Sequence, residues 1–303
     1  MIDSVFAPQE PRFETDRHSP TSLSAPRSSS YLRRISPSYL KAAIYDMVGH
    51  RDLLLNFVVR DLKSRYAGSL MGIVWNVIHP LAMIIIYTLI FTRIMRAKLP
   101  GMTDVYSYSI YLVAGLLPWN AFAEVLSRST TVFLDQAWLL KKISFPKKLL
   151  GGSIALSSFV NFLIGFSIFI LFLLLTGHRL GRAYLALPIL LILQFTFAFG
   201  LGLILSALNV FLRDISQLVG IGLQLWFWLT PIVYLENMLP DGLRSLFQLN
   251  PMYHFVRGYH SVILDSAFPS WSVLGITSMV SLISLTVGSA IFFRLKDEIV
   301  DEV

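Results

Sequence analysis

The chain has 303 residues, of which 55% are apolar and only 14% charged, and it carries a formal net charge of +7 with no cysteine. A mean hydropathy of +0.64, with far fewer charges than the roughly 25% of an ordinary soluble domain, excludes a soluble globular protein, and the lack of cysteine excludes disulfides and thiolate metal sites. The excess of positive charge fits cytoplasmic membrane loops and anionic lipid, so it is not read as a nucleic-acid footprint.

Residues 1–38 are rich in Ser, Pro and Arg and lack apolar periodicity, which predicts a disordered cytoplasmic tail, with regulation as its alternative role. It has no apolar h-region, so it is not a signal peptide. From residue 39 a membrane domain is expected to run to 303. It opens with an amphipathic stretch, 39–66, in which Tyr39, Leu40, Ala43, Ile44, Met47 and Val48 recur at helical spacing. Such a stretch before a span lies in the membrane interface. Arg51, Arg60, Lys63 and Arg65 either anchor the first span or meet a lipid phosphate.

Six uncharged or nearly uncharged runs are long enough to cross a bilayer core: 71–92, 105–130, 153–177, 183–212, 215–235 and 269–293. Gly68 and Gly72 form a GxxxG at the mouth of the first, a spacing that permits close helix approach. Glu124 and Arg128 stand four apart on the second, on one helix face. A charge at the bilayer centre costs about 2.5–3.5 kcal/mol, so they are expected to pair or to face the bundle interior, in a structural role or along a substrate path.

Residues 139–150, LLKKISFPKKLL, carry Lys141, Lys142, Lys147 and Lys148 around Pro146 between two apolar runs. A basic, proline-broken segment of this kind is a cytoplasmic loop. With that loop inside, six spans put both termini in the cytoplasm, and Lys and Arg are then more numerous inside than outside. Between the fifth and sixth runs lies an outer stretch, 236–268. Leu243, Leu246, Phe247 and Leu249 form one amphipathic piece of it, and Pro251 opens another, MYHFVRGYHSVIL. The pattern predicts two short helices dipping into the outer leaflet. The expected fold is therefore an all-α integral membrane protein with an interface helix, six spans and short re-entrant helices before the last.

Catalytic motifs are sparse. No Gly-Lys dipeptide occurs, so the chain has no P-loop, and no Asp-x-Asp occurs as in metal-dependent glycosyltransferases. His260 and Asp265 have the His-x4-Asp spacing of some acyltransferases, which leaves a membrane-embedded enzyme as a rival. The aromatic residues Trp75, Tyr87, Trp119, Phe122, Trp226, Trp228 and Tyr234 suit the interfacial belt of membrane proteins or the lining of a path for sugar rings.

Four passages in order, RDLKSRYAGSLMGIVWNVIHPL, LLKKISFPKKLL, LRDISQLVGIGLQLWFWLTPIVY and NPMYHFVRGY, resemble the ABC-2 type permease subunits of ATP-binding-cassette exporters of cell-surface polysaccharides, the O-antigen, capsule and teichoic-acid group. The resemblance runs from about residue 50 to the end. It implies a cytoplasmic (inner) membrane transporter of two permeases and two ATPase subunits, exporting a lipid-linked polysaccharide, with ATP and Mg bound by the partner and no cofactor in this chain. It places the ATPase-coupling segment at Leu139, Leu140, Lys141, Lys142, Phe145, Pro146, Lys147 and Lys148; within it Phe145 and Leu140 are expected to give an apolar anchor and the lysines orientation. It places the interface helix at residues 51–66 and the exit helices at 240–264, and gives the aromatic rings a share in the channel lining. An exporter of drugs or simple lipids with the same architecture is the nearest alternative.

Overall fold

A computed structural model describes residues 49–303 apart from 66, 98, 101–103, 143–145, 239, 297 and 303. All of these residues belong to one compact unit, Ile35–Val303. The expected tail, the first part of the amphipathic stretch (39–48), Tyr66 and Phe145 lie outside the described residues.

Among the described residues all regular structure is helical. Helix α1 (Arg51–Ser64) precedes α2 (Trp75–Thr88), which runs on through a π-helical turn (Leu89–Ile94). Next come α3 (Ser107–Asp135), the short α4 (Ala137–Lys142) and α5 (Lys148–Leu175). A 3-10 turn (Arg182–Ala186) leads into α6 (Leu187–Phe211), followed by α7 (Ile215–Trp228). Last are α8 (Asp241–Gln248), α9 (Pro251–Ile263), α10 (Trp271–Leu295) and α11 (Glu298–Glu302).

Five helical stretches are long and apolar enough to cross a membrane: Trp75–Ile94, Ser107–Asp135, Leu149–Leu175, Arg182–Phe211 and Trp271–Leu295. Helix α3 is the hub, with 83% of its apolar window buried against 17% for the peripheral α2. Helices α6 and α10 make the tightest crossing. A methyl group on Gly200 would collide with the backbone of Ser284, and one on Gly288 with the Gly200 carbonyl. Ser284 Oγ then donates to the Phe197 carbonyl at 2.9 Å and Ser281 Oγ to that of Leu193 at 2.7 Å. Small residues allow the approach, and the Ser281 and Ser284 hydroxyls bridge it.

Two expectations need correction. Gly68 and Gly72 have φ of +83° and +51° and sit in turns where an added methyl group would meet nothing within 4 Å. They lie between α1 and α2 and make no close contact with another helix of this chain. The fifth apolar run is helical only over Ile215–Trp228, 14 residues, or about 21 Å at 1.5 Å per residue. Its remainder, residues 229–235, is irregular. Irregular backbone at membrane depth is tolerated only where protein satisfies it, and here protein does. Tyr108 donates to the Val233 carbonyl. The Tyr111 hydroxyl lies within reach of the carbonyls of Pro231 (3.0 Å) and Tyr234 (2.8 Å). Asn250, the N-cap of α9, accepts from Trp226 Nε1 (2.6 Å) and Met252 N (2.9 Å) and donates to the Leu229 carbonyl (2.9 Å).

The α6–α10 crossing is sensitive to a single added methyl group. Gly200→Ala overpacks a backbone contact, at a cost of about 1–3 kcal/mol, and lowers the detergent melting temperature by several degrees. Gly275→Ala, on the same α10 where nothing lies within 4 Å, leaves it unchanged.

Candidate functional site

The buried side of α1 carries Leu54, Phe57 and Val58, and Asp61 and Arg65 continue the same stripe at helical spacing. Packing α1 against α3 and α5 therefore buries two charges, and the structure compensates both. Arg65 pairs with Asp61 (3.3 Å) and with Glu124 of α3. Arg128 pairs with Asp61 and lies 3.6 Å from Glu124. Helix α5 completes the network. Ser158 donates to Glu124 Oε1 (2.9 Å) and Asn161 to Glu124 Oε2 (3.3 Å), while Arg65 donates to Ser157 (3.1 Å). Side-chain exposures of 13–29% separate this cluster from an ordinary surface ion pair. Burial pushes the Asp61 carboxyl up, but hydrogen bonds from Arg128 and Ser157 and the charges of Arg128 and Arg65 outweigh it, and the net direction is down. The expected Glu124–Arg128 pair is thus half of a four-charge clamp. Its other half, Asp61 and Arg65, stands out only once the buried stripe of α1 is known.

The remaining α1 cations stay outside. Arg51, Arg60 and Lys63 are exposed; Arg60 bonds to Gln136 (3.2 Å) and lies over the Phe57 ring. Exposed Leu55 and Val59 flank them. Arg65, by contrast, is committed to the clamp.

The basic loop has a divided character. Leu139 and Leu140 are 3% and 6% exposed and pack with Leu54, Phe57, Phe133, Leu149, Leu150, Val210, Phe292 and Ile299. This core gathers α1, α4, α11 and parts of α3, α5, α6 and α10. Leu140 consequently belongs to the chain's own core and is not free to anchor a partner. Lys147 Nζ donates to the Lys296 carbonyl at 2.5 Å, capping the end of α10. Pro146 is half-buried beside it. What α4 presents outward is Lys141, Lys142 and Trp138, the last 54% exposed. Trp138 went unnoticed in the sequence, although a tryptophan beside LLKK was signal enough.

The aromatic candidates separate similarly. Trp119 and Phe122 are buried at 5% and 0% and pack on Trp226, Phe227 and Phe197, so they are core residues. Trp226 and Tyr234 are half-buried hydrogen-bond donors, the latter to the Trp228 carbonyl (2.6 Å). Tyr87 stacks on Phe91, and Trp75 and Trp228 are exposed. At the end opposite the basic loop a cleft of about 540 Å³ is lined by Tyr111, Glu236, Arg244, Tyr253, Arg257 and His260. Burial raises the Glu236 carboxyl there, yet Tyr253, Arg244 and Arg257 bring it below its ordinary value. His260 bonds to the Tyr111 carbonyl at 2.9 Å and stacks on that ring. Neither a hydrogen bond nor an ion pair joins it to Asp265, so the His-x4-Asp pair is not arranged as a base and its orienter.

Five apolar spans, a paired charge cluster among them and a basic end presenting a short cationic helix define an integral membrane protein of the transporter class. The sequence profile described as ABC-2 type transporter matches residues 53–264, and the chain belongs to that family. It is similar to the O-antigen export system permease protein RfbA of Klebsiella pneumoniae, with 32% identity over 246 residues, 81% of this chain and 92% of that one. It is 29% identical to the RfbA protein of Myxococcus xanthus, over 86% of this chain and 98% of that one. The polysialic acid transport protein KpsM of Escherichia coli is 22% identical over 79% of this chain and 92% of its own length. The chain is a transporter membrane subunit and not an enzyme, and its family implies an ATP-binding partner subunit.

The clamp yields a prediction. A native carboxyl held below its ordinary value of 3.8 contributes stability that is present above that pH and lost as pH falls through the native value. The clamp is therefore closed throughout the neutral range. Removing one partner of a fully buried pair costs roughly 3–5 kcal/mol; partial exposure brings this to about 1–3 kcal/mol. In the naturally cysteine-free chain, Val58→Cys reports the seating of α1. Asp61→Asn should speed its maleimide labelling at pH 7 by at least fivefold.

Proposed function

We propose that the chain is the permease of an ATP-driven exporter that moves a lipid-linked cell-surface polysaccharide, of O-antigen or capsule type, across the cytoplasmic membrane. The observation that carries this reading is the near full-length likeness to permeases named for O-antigen export and polysialic acid transport. The basic end is cytoplasmic, in keeping with its lysines and arginines. Helix α7 with residues 229–235 makes a sixth crossing, since it leads from the turn after α6 to Tyr108 and Tyr111 at the opposite end of α3. Both termini then lie in the cytoplasm, and α8 and α9 form the re-entrant pair at the outer face.

Helix α1 rests at the inner leaflet, with Leu55 and Val59 toward acyl chains and Arg60 and Lys63 toward headgroup phosphates. Helix α4 offers Lys141 and Lys142 to acidic groups of the ATPase and Trp138 as its apolar anchor, a role a buried Leu140 leaves open. Two copies pair and build the path between them. The exposed apolar faces of α2 (Val77, Ile85, Ile86) and α7 (Leu218, Ile221, Leu225) support this pairing, with Trp75 and Trp228 as rings beside the cargo.

Reconstitution with its ATPase tests the reading. Lipid-linked glycan should stimulate ATP hydrolysis severalfold, and stimulation by drugs or simple lipids alone would contradict it. Lys141→Glu with Lys142→Glu should reduce co-purification of the ATPase at least fivefold, and Trp138→Ala should do so without any change of charge.

A further inference from the structure

A second site lies beside the clamp, on the side away from α1. Helices α2, α3 and α5 enclose a pocket of about 240 Å³ lined by Trp75, Asn76, His79, Asn120, Glu124, Asn161 and Phe162 among others. Asn76 is 2% exposed, and neither its Nδ2 nor its Oδ1 has a hydrogen-bond partner. An orphaned buried polar group costs about 1–3 kcal/mol, so the unpaired Asn76 amide at the wall of this pocket would gain from a polar ligand that reaches it. His79 and Asn120 are exposed at the same pocket, which gives it a polar mouth at membrane depth.

Charge determines the class of ligand. Glu124 Oε1 faces Arg65, Arg128 and Ser158, and Oε2 accepts from Asn161. With Asp61 counted, two carboxylates balance two guanidiniums, and neither Lys nor Arg lines the pocket. A phosphate or carboxylate would meet the Glu124 carboxylate and no lysine or arginine there, and an alkyl chain would leave the amides unpaired. Amides both donate and accept, which suits neighbouring hydroxyls that do the same. Trp75 and Phe162 add ring faces for C–H surfaces. The volume is below the roughly 300–1,000 Å³ of drug-sized sites and suits one six-membered ring.

We propose that this pocket binds one neutral, hydroxyl-rich ring, a single sugar unit, through the amides of Asn76, Asn120 and Asn161. The proposal deepens the polysaccharide-export reading and rests on it for its biological meaning. With the basic end inside, the pocket lies in the inner half of the membrane, where a glycan would first leave the cytoplasm.

The test uses purified full-length permease and three photoactivatable diazirine alkyl probes, headed by glucose, by phosphate or by no polar group. The glucose probe should label peptides within 75–83, 117–124 or 161–165, and excess octyl glucoside should compete. Asn76→Leu should cut that labelling at least fivefold while leaving the melting temperature unchanged or higher, because it replaces an unpaired amide with an isosteric apolar group. Equal labelling of Asn76→Leu and the unsubstituted chain would overturn the proposal. Labelling of these peptides by the phosphate or headless probe as strongly as by the glucose probe would also overturn it. Failure of lipid-linked glycan to stimulate the reconstituted ATPase would overturn the export reading instead, and the labelling result would stand apart from it.

Discussion

The structure depends on bringing α1 against the bundle with two charges on its buried side. Asp61 and Arg65 cannot enter a low-dielectric contact alone, since each unpaired ion costs several kcal/mol. Glu124 and Arg128 on α3 are equally untenable alone. Together they neutralise one another, and Ser157, Ser158 and Asn161 on α5 take up their remaining hydrogen-bonding capacity. Neither half is affordable without the other, so the cluster specifies where α1 sits as well as holding it there.

Everything at the basic end follows from that seat. Leu54 and Phe57 join Leu139 and Leu140 of α4, Phe133 of α3, Leu150 of α5, Val210 of α6 and Phe292 of α10 in one apolar core. A push on α4 from a cytoplasmic partner would meet a packed body that includes parts of four long helices. Stiffness of this kind is what a subunit without a P-loop of its own requires. The far end is built differently. There tyrosine hydroxyls and Asn250 hold the irregular backbone after α7, beside the apolar core that α9 shares with α3 and α6.

Much of this was legible in the sequence. Apolar length placed the long spans to within a few residues, and Pro251 placed the start of α9. Two features were missed because local rules were read without burial. GxxxG spacing implies a helix contact only inside a helix, and positive φ at both glycines makes this one a turn. Continuous apolarity over 215–235 predicted a full span, but Pro231 and the tyrosine partners from α3 end the helix early. Leu139 and Leu140 beside lysines looked like a sticky surface, and burial in a core that no local pattern reveals removed them from it. The clamp was half visible. Glu124 and Arg128 stood out as charges in a span, whereas Asp61 and Arg65 read as ordinary charges of an interface helix until its buried stripe was known.

The central claim is that the four-charge clamp fixes the seat of α1 against the bundle, on which the proposed coupling of α4 to the spans depends. Glycan export in proteoliposomes holding the permease and its ATPase tests it most directly, using Asp61→Asn, Arg128→Gln and the double variant. Export should fall at least tenfold in each single variant and no further in the double, with the ATPase still bound and hydrolysing ATP. Export at the unsubstituted rate in both single variants would contradict the account.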